Sequence, residues 1–154
     1  MMRKFGLALA GLVLAAAAAG AGAHAEAPSA LGRWMTEGGK SHVVIYQCGP
    51  HLCARIVWLR EPTFKTGENL GKPVTDVHNP DKAKRAQPIL GLTMMWNMAR
   101  NGDPGEWEGG RLYNPEDGET YKGLMRLRPD GKLQLRGYVG ISLLGKSQIW
   151  ERVR

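Results

Sequence analysis

Beyond residue 26, apolar and polar positions alternate over short segments that are separated by clusters of Gly, Pro, Asn and Asp. A period of two is typical of β-strands with one buried face, and no long stretch of this region has the period of a helix. Eight segments have the strand pattern: 33–37, 41–48, 53–60, 90–98, 106–113, 119–128, 132–138 and 146–153. Turn sequences such as Pro129-Asp130-Gly131 join them. We therefore predict an all-β, eight-stranded antiparallel up-and-down barrel, whose closure leaves no exposed edge.

The N-terminal segment has the organisation of a secretory signal. Arg3 and Lys4 precede an apolar run over residues 5–19, and Ala23-His24-Ala25 forms a small-x-small cleavage site. An uncleaved anchor helix is the alternative, because small and apolar residues continue almost unbroken to the cleavage site. The pattern predicts export of the protein.

Removal of this signal defines the mature chain. We predict that residues 1–25 are cleaved and that 26–154 form a single barrel domain in the periplasm or outside the cell. The formal net charge of +7 then falls to +5, because Arg3 and Lys4 leave with the signal. The remaining bases are scattered among carboxylates, and export separates the chain from cellular DNA. We expect no nucleic-acid partner. Peripheral contact with anionic envelope components fits the charge, as does solubility alone.

Two cysteines flank a predicted four-residue turn. In an antiparallel hairpin, Cys48 and Cys53 would lie opposite each other at a separation that a disulfide can bridge. An oxidising compartment favours that bond. A redox pair and a metal site that includes His51 are the alternatives. Redox motifs prefer two intervening residues, and a metal would need a further ligand that the local sequence lacks. We predict a structural disulfide.

Alternation also assigns side chains to the interior of the barrel. Candidate ligand-binding residues in this interior are Val43, Ile45, Ile56, Trp58, Leu92, Met94, Trp96, Tyr121 and Met125. Thioethers and rings adapt to apolar ligands, yet a packed core has the same composition. An eight-stranded barrel is at the size where side chains fill the interior or leave room for one small molecule. Both interpretations stay open.

A long segment, 61–89, lacks a strand pattern, and segments of this kind often form lids or binding loops. A short helix is predicted within it. Asn79 would cap this helix, Pro80 would occupy its first position, and Pro88 would end it. The segment is therefore the best candidate for a site at the mouth of the barrel.

Three basic residues of this predicted helix could hold an anionic head group: Lys82, Lys84 and Arg85. The alternative is that the helix plugs one end of the barrel. In that case Arg85 pairs with Asp76 or Asp81, and the lysines are solvated.

The two ends of the predicted barrel carry a short motif each. Gly32-Arg33-Trp34 opens the first strand, and Trp150-Glu151-Arg152 closes the last. This arrangement resembles the lipocalin/calycin barrels. The resemblance implies that Trp34 lies at the closed end and that Arg152 packs across its ring, as structural residues that exclude water.

A longer series of ordered motifs resembles the DUF2147 family of exported bacterial proteins. The motifs are Asp76-Val-His-Asn79-Pro80-Asp81, Arg85, Pro88-Ile89-Leu90-Gly91-Leu92, Trp107-Glu-Gly109-Gly110, Tyr113-Asn-Pro115, Gly118-Glu-Thr120-Tyr121 and Arg136-Gly137-Tyr-Val-Gly140-Ile. This resemblance spans residues 32–152. It implies a lipocalin-like fold and brings no established activity or catalytic residue. Gln87 stands where the family is expected to have a second Arg before the proline, which removes one partner from any anion site there.

Motifs of catalysis are absent from the sequence. It has no Gly-x-Ser-x-Gly, no His-Glu-x-x-His and no phosphate-binding glycine loop, and His42, His51 and His78 lie on separate segments. We therefore expect no enzyme activity, no cofactor and no metal. Our hypothesis is an exported lipocalin-like protein that binds a small apolar or amphipathic molecule in the cell envelope. The alternative is an envelope interaction or structural module with a filled core and no small ligand.

Overall fold

The computed structural model describes residues 27–141 and 145–154. Its eight strands are β1 Gly32–Met35, β2 Ser41–Cys48, β3 His51–Leu59, β4 Thr93–Arg100, β5 Glu106–Asn114, β6 Glu119–Leu127, β7 Leu133–Tyr138 and β8 Lys146–Arg152. Each strand is antiparallel to its neighbours in sequence, and β8 pairs with β1, which closes the sheet into a barrel. The predicted eight-stranded antiparallel barrel is confirmed. The predicted signal peptide, 1–25, lies outside the described residues.

Helical structure in the described ranges is limited to two 3-10 turns, Glu37–Gly39 and Lys82–Lys84. Neither range contains a helix of the length and apolar character needed to cross a bilayer.

Because the strands run up and down, their connections alternate between the two ends of the barrel. The β1–β2, β3–β4, β5–β6 and β7–β8 connections lie at one end, which we call the open end. The β2–β3, β4–β5 and β6–β7 connections lie at the other, together with the start of β1 and the end of β8, and we call this end the closed end.

The closed end is sealed by the contact between Trp34 and Arg152. The indole of Trp34 is fully buried, and its Nε1 donates a hydrogen bond of 2.8 Å to the carbonyl oxygen of Ala30. The Arg152 guanidinium lies 4.2 Å from the ring centroid and donates to the carbonyl oxygens of Leu31 (2.8 Å) and Ser29 (2.9 Å). One side chain thus ties the last strand to the first strand and to the segment that precedes it.

Gly32 allows this close approach. Its φ of 115° is in a region that side chains other than glycine rarely adopt, and a Cβ atom there would lie 3.2 Å from Nη1 of Arg152. The Gly-x-Trp spacing therefore has a steric cause.

The half of the barrel next to the closed end is packed with side chains. Its largest fully buried members include Trp34, Ile45, Met98, Met125 and Leu133. Met98 occupies space left by two glycines that face each other on neighbouring strands, Gly110 and Gly123. A side chain at either glycine would collide with Met98, so Met98 fills the space between these two strands.

The β2–β3 hairpin differs from the predicted register. The turn closes in two residues rather than four, because Gly49 adopts a φ of 61°, so Cys48 pairs with His51 and Tyr46 with Cys53. The Cys48–Cys53 disulfide forms nevertheless, diagonally across the ladder, with a Cα–Cα distance of 5.8 Å. A register shift of two residues preserves the side-chain faces, so the apolar face stays inside.

Bulges overturn two of the predicted inward positions. Between the pairs Val43–Ile56 and His42–Trp58 the register shifts by one residue, which turns Trp58 to the outer face. There its ring centroid lies 4.5 Å from that of His42, and 39% of the residue is exposed. The prediction that Trp58 points inward is wrong.

A second irregularity lies in β4. Thr93 pairs with Arg55 and Met95 with Ala54, and Asn97 has a φ of 58°. These shifts break the alternation, so the buried side chains of β4 are Met95 and Met98. Trp96 is half-buried, pairs with Arg111 and lies outside the core, contrary to its predicted inward position.

Replacement of Arg152 by Ala should destabilise the barrel. The change removes the cation–π contact and two hydrogen bonds, and we expect the free energy of unfolding to fall by about 1–2 kcal/mol in urea denaturation. Arg154→Ala is the matched control, because Arg154 is exposed and makes no hydrogen bond or ion pair with any described residue. Equal effects of the two substitutions would contradict the sealing role of Arg152.

Candidate functional site

A cavity of about 930 Å³ occupies the open half of the barrel. Its walls include buried or half-buried apolar side chains from the strands and from the β3–β4 connection: Val43, Ile56, Leu59, Val74, Ile89, Met94, Leu112, Leu135 and Trp150. Its polar lining comes from the connections and strand ends of the open end: Glu37, Lys40, His78, Glu116, Asp117, Tyr121, Tyr138 and Lys146. The cavity therefore combines apolar walls with a polar rim.

The predicted ligand-binding residues are divided between the two halves of the barrel. Four of the nine line the cavity: Val43, Ile56, Met94 and Tyr121. Ile45 and Met125 belong to the packed closed half, Leu92 packs against the core, and Trp58 and Trp96 lie outside it. The interior is thus neither wholly filled nor wholly hollow.

The β3–β4 connection supplies one wall of the cavity through Val74, Thr75, Val77, His78 and Ile89. Its backbone is tied into short ladders, with isolated bridges between Thr75 and Pro88 and between Thr63 and Pro73. The segment predicted to be a binding loop is therefore part of the cavity.

A buried carboxylate fastens this connection to the barrel. Asp76 is fully buried and accepts hydrogen bonds from the hydroxyl of Tyr113 (2.7 Å) and from Nδ2 of Asn79 (2.8 Å). Tyr113 belongs to β5, so the first bond joins the connection to the sheet. A buried charge is costly unless such donors surround it, so the network fixes the connection in one place.

The same network sets the ionisation of Tyr113. Burial, together with the hydrogen bond to Asp76 and the charge of its carboxylate, raises the pKa of Tyr113 to about 12. The phenol therefore stays protonated and keeps its donor at neutral pH.

The β5–β6 turn places a second carboxylate at the cavity. Burial opposes ionisation of Asp117, but donors outweigh it and lower its pKa: the backbone N–H of Glu119 (2.8 Å), the hydroxyl of Tyr121 (2.7 Å) and Nδ2 of Asn114 (3.0 Å). The bond to Asp117 in turn raises the pKa of Tyr121. An ionised carboxylate and a protonated phenol therefore stand side by side on the cavity lining.

An ion pair connects two of the open-end connections. Nζ of Lys40, between β1 and β2, lies 2.8 Å from Oε1 of Glu116, between β5 and β6. Both side chains are largely exposed, so the pair contributes little to stability. Lys146 also lines the cavity and makes no ion pair with any residue that the structure describes.

The predicted anion-binding residues lie apart from the cavity. Lys82, Lys84 and Arg85 are exposed, and none of them lines it. Nε of Arg85 donates to the carbonyl oxygen of Asn79 (2.8 Å), and Nζ of Lys84 lies 3.9 Å from Asp81. The predicted partner of Arg85 was a carboxylate, and the structure gives a backbone carbonyl instead.

The short helix also begins later than predicted. Asp81 caps it through a bond from the backbone N–H of Ala83 (3.0 Å), whereas Asn79 accepts from the N–H of Asp81 (2.9 Å). The cause is that Asn79 is engaged in the buried network with Asp76.

A protein-family match covers the residues that form the barrel and its cavity. The family described as "Uncharacterized protein conserved in bacteria (DUF2147)" matches residues 32–152, which includes all eight strands. The chain belongs to the DUF2147 family. No curated protein matches the sequence.

Among solved structures, this DUF2147 protein is similar to a protein from the human pathogen Helicobacter pylori that is described as belonging to the lipocalin family. The two chains are 20% identical, and their alignment has a TM-score of 0.67 and covers 80% of this chain and 82% of the other. At this identity the likeness shows the fold. The predicted lipocalin-like barrel is confirmed.

Several cavity residues of this DUF2147 protein escaped the prediction from sequence. Leu112 follows the alternation of its strand and could have been found by it, whereas Val74 and Ile89 lie in a segment without periodicity. Across the described ranges, no group of three or more His, Cys, Asp or Glu side chains is placed to hold a metal ion.

Substitution of Tyr113 by Phe should loosen the wall of the cavity. The change leaves Asp76 buried with one donor fewer, and we expect the free energy of unfolding to fall by about 1–3 kcal/mol. Urea denaturation monitored by tryptophan fluorescence measures the change. Tyr138→Phe is the control, since its hydroxyl makes no hydrogen bond with any described residue. A Tyr113→Phe protein as stable as this control would show that the network does not hold the connection.

Alkaline titration provides a second test of this network. The pKa of an unperturbed tyrosine is about 10, and in the folded state the pKa of Tyr113 is raised to about 12. The protonated Tyr113 therefore contributes its full stabilisation of the folded state below about pH 10, and this contribution is lost as pH rises through about 12. We expect the stability difference between the native protein and Tyr113→Phe to shrink across that interval. The tyrosinate absorbance of the native protein should rise in a step near pH 12 that is absent from Tyr113→Phe. If the variant shows the same step, the residue that titrates near pH 12 is not Tyr113.

Proposed function

We propose that this protein is an exported carrier that binds a small apolar or amphipathic molecule inside its lipocalin-like barrel, in the cell envelope. The observation that carries the proposal is the cavity of about 930 Å³ that opens at one end of the barrel. Small-molecule sites are typically concave, largely apolar and of roughly 300–1,000 Å³. The cavity is at the upper end of that range.

The arrangement of the lining supports an amphipathic ligand. Apolar walls would surround a hydrocarbon or ring system, and Met94 supplies a thioether that adapts to its shape. Asp117, Tyr121 and Lys146 would meet a polar group at the rim. A molecule with one apolar part and one polar end fits both regions.

Export is supported by two independent features. The first 25 residues have a signal pattern, and Cys48 and Cys53 form a disulfide that suits an oxidising compartment such as the bacterial periplasm. Within this proposal the protein acts as a binder rather than an enzyme. The hollow half of the barrel supports this carrier function over an interaction module with a filled core.

Native mass spectrometry of protein purified after export, without denaturant, tests the proposal directly. We expect a discrete adduct that solvent extraction releases and identifies by chemical class. Protein that carries no adduct, and that binds no fluorescent fatty-acid analogue afterwards, would favour the interaction module.

Filling the cavity should weaken ligand binding. We expect Met94→Trp to weaken binding of the fluorescent fatty-acid analogue by roughly tenfold or more, because the indole occupies the space that the acyl chain needs. Thr93→Trp is the matched control: it places the same ring on the exposed face of the same strand, opposite Arg55. If both folded variants bind the probe as the native protein does, the ligand does not lie in the cavity.

A further inference from the structure

The larger exposed apolar side chains of the described residues are concentrated at one end of the barrel. Five lie in the connections of the open end, and a sixth lies one residue before the end of β3: Leu70, Val77, Leu90, Val139, Ile141 and Trp58. The remaining one, Leu31, lies at the closed end. Such an asymmetry marks a surface that contacts something other than water.

This exposed apolar surface is continuous with the cavity. Val77 and Val139 line the cavity and are nevertheless 41% and 72% exposed, and Ile141, two residues further on, is 61% exposed. The two valines belong to different connections, β3–β4 and β7–β8. An apolar path therefore leads from the outer surface of the open end into the interior.

The chemistry of the rim favours a lipid surface over a protein partner. The apolar side chains stand on separate connections around an opening, and charged groups such as Lys40 and Glu116 line the same opening, whereas the core of a protein interface is depleted in charged residues. Side chains arranged in this way can insert shallowly between lipid head groups while the charges stay in the polar layer. A protein partner seated there would close the cavity.

The net charge of the mature chain favours anionic head groups. The rim itself carries no basic excess, since Glu37, Glu116 and Asp117 stand against Lys40 and Lys146, so the attraction comes from the chain as a whole. Lys146 on the same rim has no ion pair with the described part of the chain. The mature chain, 26–154, carries a net charge of +5, because Arg3 and Lys4 leave with the signal. Each base near an anionic surface adds attraction.

We propose that the open end docks on an anionic lipid bilayer through Val77, Val139 and Ile141, with the mouth of the cavity facing the lipid. This inference goes beyond the carrier function, because it assigns a docking surface and its partner. An amphipathic molecule would then pass between the bilayer and the cavity without crossing water.

Vesicle flotation of the purified protein tests this docking. The vesicles contain phosphatidylcholine with or without phosphatidylglycerol, and the protein is added without ligand. We expect binding to the anionic vesicles, and we expect Val139→Asp with Ile141→Asp to lower the partition coefficient by roughly tenfold or more. Leu31→Asp is the matched control, since the same change is made at a 43% exposed apolar residue of the closed end. The N-terminal segment is identical in all variants and contributes equally to their vesicle binding. A difference in vesicle binding between variants therefore comes from the substituted surface. Val77→Asp serves as an independent single substitution if circular dichroism shows that the double variant does not fold.

The outcomes separate docking from carriage. Docking is supported if the open-end variants lose vesicle binding, Leu31→Asp keeps it, and the open-end variants still bind the fatty-acid analogue in solution. Native protein that does not float with either vesicle, or equal losses in the open-end and Leu31→Asp variants, overturns it. Met94→Trp provides the converse, because it should lose the analogue and still bind vesicles. Failure of the carrier function would therefore leave vesicle binding intact, and failure of docking would leave analogue binding intact.

Discussion

The structure depends on the closure of β8 onto β1. An open sheet of eight strands would expose two edges, and closure removes both only if the first and last strands meet in register. Here that seam consists of two residue pairs, Trp34–Arg152 and Met35–Glu151. So short a ladder gives few hydrogen bonds, and the Arg152 guanidinium adds bonds to the carbonyls of Ser29 and Leu31 while it covers the indole of Trp34. The seam and the seal of the closed end are thus the same interaction.

Side-chain packing distinguishes the closed end of the barrel from the hollow open end. At the closed end, Met98 packs against Gly110 and Gly123, where the absence of side chains lets a thioether fill the space between neighbouring strands. At the open end, the wall is completed by the long β3–β4 connection, which contains a 3-10 turn and isolated bridges but no strand of the barrel. That segment keeps its position through the buried bond between Asp76 and Tyr113. A polar network in the wall therefore preserves an apolar space behind it, because the buried carboxylate would lose its donor if the segment moved away.

The bulges decide which side chains meet that space. In a regular strand, Trp58 would join Ile56 on the inner face, and the cavity would be smaller by an indole. The shift in β3 sends Trp58 outward, and the shifts in β4 allow Met94 to line the cavity while its neighbour Met95 is fully buried. A few irregular positions thus convert a barrel that side chains could fill into one with an accessible interior. The exposed valines on two of the surrounding connections extend this apolar surface to the outside.

The sequence by itself determined the strands, the antiparallel barrel and the pair of cysteines that form the disulfide, because alternation and turn residues are local signals that neighbouring positions carry. It also indicated the family, since the motifs of 32–152 are ordered along the chain. Only the tertiary structure decided the hairpin register, the outward positions of Trp58 and Trp96, and the division between packed and hollow halves. A bulge depends on pairing with another strand, and a cavity depends on how side chains from distant segments fit together. For the same reason the sequence does not indicate the hydrogen bond between Asp76 and Tyr113. These residues are 37 positions apart, and only the packing of the β3–β4 connection against β5 brings them together.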